Sequence, residues 1–262
     1  MKIRAFVLAI MVLVTGALAT PVSADTLSDY RLGHFTLNLG YWMGTTDLAV
    51  KSDGQNGYLR SDGGNFDGDI SVGLSHGFAM RYAYTGLSNN YNAPANSAGV
   101  PQTLSTIMNT QDVMVMFKTG NGLGNTLLNG WALVTGQPPH WTAEPENGNN
   151  YALFIGYSQF NDNTPYQAGM QRPINPDRGW ETGIVNAWPI NNKINTFGKA
   201  SIFGVVSGPG LFVAEAGFSY AVVDNTTLNM SYKTAVTLTG ESDYNADYLL
   251  RTGFRYGICF WY

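Results

Sequence analysis

The sequence predicts an all-β protein, an antiparallel up-and-down barrel of about twelve strands, or of ten, that crosses a membrane. Charged residues make up only 12% of the chain, against a usual share of about 25%, and aromatic residues reach 13%. No long apolar segment follows residue 20, which excludes a bundle of membrane helices. Instead, many short segments alternate apolar and polar residues with the period of a β-strand. A barrel with lipid on one face and water on the other accounts for both observations.

The first element is predicted to be a secretory signal peptide. Lys2 and Arg4 precede an apolar run from residue 5 to about residue 19, and Val22, Ser23 and Ala24 provide the small residues of a cleavage site. The run is shorter than the ~20 residues that a spanning helix needs. We therefore expect a signal peptide at 1–24 and a barrel at 25–262, with no lipid anchor because no cysteine follows the small residues.

The composition of the predicted barrel limits its partners. Without Lys2 and Arg4 the chain has 12 Lys and Arg against 18 Asp and Glu, a formal charge of −6. This acidic balance argues against a nucleic-acid partner. Cys259 is the only cysteine, so no internal disulfide can form, and we expect it to be a small residue facing the lumen. No cofactor is predicted.

The strand pattern is clearest near both ends of the chain. Residues 35–41, 70–75 and 80–85 alternate strictly, and 212–222 with 228–238 form the best hairpin. One face of that hairpin is apolar. The other face carries Glu215, Gly217, Ser219, Asn229, Ser231 and Lys233. Because an apolar core does not accommodate such residues, this face is expected to line a lumen.

The middle of the chain has weaker patterns. Further candidate strands are 112–118, 127–135, 151–160, 180–190 and 195–206, with a short one at 166–170. Pro165, Pro173, Pro176 and Pro189 interrupt this region and leave the number of strands open.

The expected connections alternate in length, as in an up-and-down barrel. Short turns are predicted on the side of the termini, at 76–77, 191–193 and 224–225. Longer polar loops are predicted on the opposite side, at 45–68, 88–105, 138–150, 171–179 and 239–246.

The last strand alternates strictly and ends on an aromatic residue. Its apolar face carries Phe254, Tyr256, Ile258, Phe260 and Tyr262, and its other face carries Arg251, Arg255 and Cys259. It resembles the closing strand of bacterial outer-membrane β-barrels, whose terminal aromatic residue is part of the signal read by the barrel-assembly machinery. The resemblance implies the outer membrane of a diderm bacterium, periplasmic termini, and contact with membrane lipid and lipopolysaccharide. It identifies no narrower family and no oligomeric state.

The alternation also sorts the charged residues. Two acidic residues, Asp112 and Glu215, and six basic ones are predicted to face inward: Arg81, Lys118, Lys199, Lys233, Arg251 and Arg255. Charges that line a lumen set its selectivity, so this balance predicts a porin-like passive channel for small anionic solutes. In the alternative, these groups pair across the lumen, for example Arg255 or Lys233 with Glu215, and plug a structural or surface-interaction barrel.

A catalytic function is the third and least supported hypothesis. His34, His76 and His140 lack the His-x-Ser arrangement of phospholipase and deacylase barrels, so we predict no enzyme. Residues 62–69 form a Gly-rich acidic segment that could hold calcium, but they lack the EF-hand pattern, and we expect a solvated loop and no metal. A secreted β-sandwich is the rival fold, and it does not explain faces that are aromatic rather than charged.

Overall fold

The computed structural model describes residues 33–52, 55–75, 78–93, 102–120, 135, 150–165, 170–171, 177–191, 193–204, 210–223, 225–238 and 249–262. Its strands are β1 (Phe35–Ser52), β2 (Gln55–Ser75), β3 (Phe78–Gly86), β4 (Asn90–Ala93), β5 (Gln102–Ser105), β6 (Met108–Gly120), β7 (Asn150–Asp162), β8 (Met170–Gln171), β9 (Asp177–Pro189), β10 (Ile194–Phe203), β11 (Gly210–Val223), β12 (Thr226–Leu238) and β13 (Leu249–Trp261). Within these ranges no helix has the length and apolar character needed to cross a membrane.

Ten of these strands form one closed antiparallel barrel. The sheet runs β1-β2-β3-β6-β7-β9-β10-β11-β12-β13, and β13 pairs back onto β1 from Thr36 opposite Trp261 to Leu48 opposite Leu249. The all-β barrel is therefore confirmed, with the lower of the two strand counts. β8 adds two residues to the far end of β1, while β4 and β5 form a separate two-stranded hairpin.

Most of the predicted strands lie within observed ones. The predicted strand 127–135 lies outside the described residues apart from Thr135, and of the segment 166–170 only Met170, in β8, is described. The predicted loop 88–105 contains β4 and β5. Loops 171–179 and 239–246 fall wholly or largely outside the described residues.

The predicted loop at 45–68 is wrong. β1 and β2 pair without interruption from Phe35 opposite Val72 to Ser52 opposite Gln55, so this segment is the upper part of a long hairpin. Its glycines misled the prediction, since they read as turn residues but here provide space. A Cβ atom at Gly64 would overlap the Tyr41 ring. Asp62 lies on the outer face of β2, and Asp67 and Asp69 lie on its inner face, so 62–69 is a strand rather than the expected solvated loop.

The predicted loop 138–150 lies outside the described residues apart from Asn150, the first residue of β7. β6 ends at Gly120, and both Gly120 and Asn150 lie at the same end of the barrel as Phe35 and Tyr262. The two strand ends on either side of residues 121–149 are therefore on the side of the termini, whereas the loop was predicted on the opposite side.

The barrel sorts its side chains by face. Large apolar residues on the outer face are exposed, among them Leu39, Met43, Phe66, Met80, Ile155, Trp180, Met230 and Phe254. The inner face is buried and carries most of the polar and charged residues of the strands. This distribution is the reverse of that in a water-exposed globular domain.

We predict that Gly253→Val lowers the free energy of unfolding by about 3 kcal/mol or more. Gly253 faces Gly44 across the closing β1–β13 pair, and a Cβ atom there would overlap the backbone of Met43 and Gly44. Urea titration in detergent micelles measures the change. The neighbouring Thr252→Val is the control and should change the free energy of unfolding by less than about 1 kcal/mol. Equal effects of the two substitutions would contradict close packing of β1 against β13.

Candidate functional site

The middle of the lumen is organised around one carboxylate, that of Asp67 on β2. Its Oδ1 accepts a hydrogen bond from Arg255 Nε at 2.6 Å, and its Oδ2 accepts one from Lys233 Nζ at 2.6 Å. The three side chains are each at least nine-tenths buried. A buried carboxylate with two cations retains good geometry only if its partners are fixed by the fold. Here the pairs of β1 with β2 and β13, and of β13 with β12, fix them.

Polar side chains extend this ion pair in two directions. Arg255 Nη1 lies 3.8 Å from Glu215 Oε1, which also accepts a hydrogen bond from Ser231 Oγ at 2.6 Å. Arg255 Nη2 donates to Asn38 Oδ1 at 3.2 Å. The amide of Asn38 in turn donates to Asp69, and Asp69 pairs with Arg81 at 2.6 Å. The network therefore joins β11, β12, β13, β1, β2 and β3.

Two inward-facing glycines provide the space for the Arg255 guanidinium. Gly40 and Gly257 face each other across the β1–β13 pair. A Cβ atom at Gly40 would overlap both the Arg255 guanidinium and the Asp67 carboxylate, and one at Gly257 would lie 2.8 Å from Arg255 Nη1. The guanidinium therefore lies close to the strand backbone. Glycine at both positions is what allows this approach.

Trp42 lies above this network, fully buried on the inner face of β1. Lys233 Nζ is 4.8 Å and Arg251 Cζ is 4.7 Å from the centroid of its ring. Both distances are within the range of cation–π attraction, which is strongest for tryptophan and for desolvated cations.

Arg251 differs from Arg81, Lys233 and Arg255 because it has no acidic partner. Its guanidinium donates to Thr46 Oγ1 at 2.8 Å, to Trp42 O at 2.8 Å and to Gly63 O at 3.1 Å, all of which are neutral acceptors. Its exposure is 0%, and its Nε has no hydrogen-bond partner. Among the side chains that the structure describes, no carboxylate lies within ion-pair distance.

The opposite wall of the lumen is more apolar. Met114, Met116 and Phe154 are buried there, and Lys199 Nζ lies 5.6 Å from the centroid of the Phe154 ring. The same wall holds two buried carboxylates. Asp112 accepts a hydrogen bond from Ser158, while Glu181 has one carboxylate oxygen without a partner.

The upper lumen, at the end away from the termini, is filled by an apolar cluster. It contains Trp42, Leu48, Leu59, Leu87, Tyr91, Leu104, Met108, Phe160, Phe203, Leu211, Ala235 and Leu249. Leu87, Tyr91 and Leu104 belong to the hairpin of β4 and β5 and its base, so this hairpin folds back into the mouth of the barrel.

Six of the seven lumen residues singled out from the sequence have described side chains. These six, Arg81, Lys199, Glu215, Lys233, Arg251 and Arg255, all lie on the inner face. Lys118 occupies an inward register position opposite the buried Ala152, but its side chain is outside the described residues. The role of these seven residues in selectivity stays a prediction.

Sequence reasoning missed four inward-facing acids: Asp67, Asp69, Asp162 and Glu181. Asp67 and Asp69 alternate with Phe66, Gly68 and Ile70, a strand pattern that the surrounding glycines obscured. With these four, the described inward side chains comprise five basic and six acidic groups. The excess of positive charge that predicted anion preference is therefore absent from the described part of the lumen.

The terminal strand presents its two faces as the alternation indicates. Phe254, Tyr256 and Tyr262 are exposed on the outer face, with Ile258 and Phe260 half-buried on the same face, and Cys259 is buried on the inner face. Their part in assembly stays a prediction. Of the histidines, His76 and His140 lie outside the described residues. In the described ranges no group of three metal-ligating side chains could hold an ion.

Comparison with known proteins returned structural similarity alone. No protein-family model and no curated protein matches the sequence. The solved structures that it resembles are bacterial outer-membrane β-barrels. The translocator domain of the autotransporter NalP from Neisseria meningitidis has a TM-score of 0.42 and 10% identity, covering 98% of this chain and 95% of that one. An outer membrane channel from Pseudomonas putida F1 has a TM-score of 0.40 and 8% identity, covering 92% and 98%. The attachment invasion locus protein Ail of Yersinia pestis has a TM-score of 0.32 and 9% identity, covering 88% and 100%.

Proposed function

We propose that the chain spans the outer membrane of a diderm bacterium as a barrel whose lumen is closed at rest, and that it acts as a structural or surface-interaction barrel. The outer face supports the membrane location. On β1 its apolar residues run from Phe35 to Met43, which at about 3.4 Å per residue and a tilt of about 40° gives a belt about 20 Å high. Above it, Asp47 and Arg60 form an exposed ion pair.

Aromatic pairs at two levels mark the borders of this belt. Tyr41 with Phe66, Tyr157 with Trp180 and Tyr232 with Phe254 lie at the upper level, with ring centroids 5.1, 6.2 and 5.5 Å apart. Phe35 stacks on Tyr262 at 5.0 Å at the lower level, near Phe78 and Phe117. Two aromatic girdles around an aliphatic band are typical of outer-membrane barrels.

The orientation is part of the proposal. Phe35 and Tyr262 exchange two backbone hydrogen bonds of 2.9 to 3.0 Å, so both ends of the barrel chain lie together. We place this end in the periplasm, where the barrel-assembly machinery would meet the terminal strand, and the β4–β5 mouth at the outer surface, among lipopolysaccharide.

The proposal that the lumen is closed rests on one observation. Arg251, Arg255 and Lys233 project into the lumen at mid-height and are only 0%, 3% and 5% exposed. In an open aqueous channel such charges would meet water, since hydrated charged rings are what give a pore its selectivity. Here they meet Asp67, Trp42 and one another instead.

The second candidate is a passive channel for small anionic solutes. The polar and charged inner face favours it, because a barrel built only for stability has little use for eleven inward-facing ionisable groups among the described residues. The near-equal numbers of acidic and basic groups in the described lumen do not favour selection of anions.

Planar-bilayer recording of the purified protein separates the two candidates. For the closed barrel we expect no stable current steps above the lipid background. Stepwise currents would contradict it, and their reversal potential in a salt gradient would then show whether anions are preferred.

We predict that Leu39→Arg lowers the free energy of unfolding in phospholipid vesicles by about 2–4 kcal/mol, because it places a cation in the middle of the apolar belt. Thr45→Arg, on the same face of β1 but above the belt, is the control and should cost no more than about 1 kcal/mol. Urea titration measures both. Equal costs would show that this face does not meet lipid.

We further predict that Asp67→Asn lowers the free energy of unfolding by about 3–5 kcal/mol, because it leaves the buried Arg255 and Lys233 without their shared carboxylate. Asp62→Asn removes an exposed carboxylate from the outer face of the same strand and should cost less than about 1 kcal/mol. Similar losses in the two variants would show that the Asp67 network does not fill a closed lumen.

A further inference from the structure

The hairpin in the barrel mouth has two distinct faces. Tyr91 on β4 and Leu104 on β5 are register partners, and they are 0% and 2% exposed. The next pair, Asn92 and Thr103, is exposed. The hairpin thus places one apolar face inside the upper lumen and one polar face toward the solvent. We call the described residues of this hairpin, 89–93 and 102–106, the plug.

The plug is bonded to itself more than to the barrel wall. Thr106 N donates to Asn89 O at 2.8 Å, and Asn89 N donates to Thr106 Oγ1 at 2.8 Å. The wall holds it through side chains. Asn89 Nδ2 donates to Thr46 Oγ1 at 3.0 Å, and Ser61 Oγ donates to Asn90 O. At the base of the plug, Asn65 Nδ2 donates to Ser88 O at 2.7 Å.

Within the described ranges no backbone hydrogen bond joins the plug to a barrel strand. The flanking residues keep such bonds at its base, where Leu87 N donates to Met108 O and Asn163 N donates to Ile107 O, each at 2.9 Å. The plug can therefore leave the mouth without breaking any part of the barrel ladder. Local openings of this kind are the low-energy fluctuations of a folded protein.

Arg251 lies beneath the plug. Thr46 accepts hydrogen bonds from both Asn89 of the plug and the Arg251 guanidinium. Tyr91 carries its buried hydroxyl from the plug into this region, where the hydroxyl lies near Thr46 and interacts electrostatically with Arg251. Tyr91 thus places an aromatic ring among leucines and a hydroxyl group near a guanidinium, as an amphipathic ligand would.

Two unusual features coincide here. A fully buried arginine without a carboxylate partner is costly, because desolvation of the charge is offset only by neutral acceptors and Trp42. Trp42, which contacts it, belongs to the packed apolar cluster of the upper lumen, to which the barrel wall contributes Leu48, Leu59, Leu211 and Leu249 and the plug contributes Tyr91 and Leu104. Arginine binds carboxylates with paired N–H donors, and the apolar space that the plug would vacate suits hydrocarbon.

We propose that the upper lumen is a binding site for an amphipathic carboxylate, a hydrocarbon body with one anionic head, and that the plug is its reversible cover. The carboxylate pairs with Arg251, the hydrocarbon replaces Tyr91 and Leu104 among the leucines, and the plug swings outward. The inference rests on the proposed membrane-spanning, closed barrel and assigns it a ligand class.

The experiment measures plug opening by thiol labelling in lipid nanodiscs, with decanoate as the probe. In a Cys259→Ser background, Thr103→Cys reports the exposed face of the plug and Leu104→Cys the buried face. Without decanoate we expect Thr103→Cys to react with a water-soluble maleimide at least about tenfold faster than Leu104→Cys. Decanoate should accelerate the Leu104→Cys reaction several-fold in a saturable manner and leave Thr103→Cys unchanged.

Two controls isolate the carboxylate–arginine pair. Decanol, which has the same hydrocarbon but no charge, should not accelerate labelling of Leu104→Cys. Arg251→Gln should abolish the response to decanoate, whereas Arg60→Gln, which alters an exposed arginine of the outer face, should preserve it. If Arg251→Gln does not fold, Arg251→Lys replaces it and should retain a weakened response, because the charge remains without the paired donors.

Three results would overturn the site. These are equal acceleration by decanoate and decanol, which indicates general disturbance of the bilayer; a decanoate response that survives Arg251→Gln; and a Leu104→Cys variant that decanoate never makes reactive. None of them bears on the bilayer recordings or on Leu39→Arg, so failure of the ligand site and failure of the closed membrane barrel are distinguishable.

Discussion

Closure of the sheet between β1 and β13 is the constraint on which the rest of the structure depends. In lipid every backbone N–H and C=O group needs a partner within the protein, and only a sheet without edges provides this for strands. The seam runs for thirteen residue pairs, and glycines face each other twice along it. Those glycines let the two strands meet and also leave space inside the barrel for large side chains.

Closure fixes the interior volume, and the side chains must then fill it. A ten-stranded barrel has an interior close to the size that side chains alone can occupy. Here two layers of side chains with different chemistry fill the lumen, one above the other. The charged layer around Asp67 occupies the middle, and the apolar plug occupies the mouth. Arg251, Thr46 and Trp42 lie at their boundary and contact both, so the two fillings are physically connected.

This stacking explains why the lumen is more than an inert core. The Asp67 layer is internally neutralised, with each cation facing a carboxylate. Arg251 is outside that balance, and the element covering it is attached by side chains rather than by a sheet ladder. A buried arginine without a carboxylate partner lies beneath a plug that is held to the barrel strands by side-chain hydrogen bonds. This arrangement is expected of a binding site rather than of a region selected for stability alone.

The sequence predicted the outer face well because every outward position of a barrel strand meets the same environment, and alternation reports that environment directly. Phe254, Tyr256 and Tyr262 lie where their spacing places them. Residues 45–68 were misjudged because Gly44, Gly63 and Gly64 are used for close approach, which a sequence does not distinguish from a turn. The error moved Asp67 and Asp69 from the lumen into a supposed loop and gave the lumen a false positive balance.

The sequence by itself determined the fold class, the closing strand and which residues of each strand share a face, since these depend only on a period of two along the chain. The tertiary structure alone decided which inward charges meet, because Asp67 and Arg255 are 188 residues apart and join only when the barrel closes. It also decided that the described residues of 88–105 turn inward. That choice depends on the space left by Gly63 on β2 and on the leucines of three other strands, β1, β11 and β13, which no local pattern records.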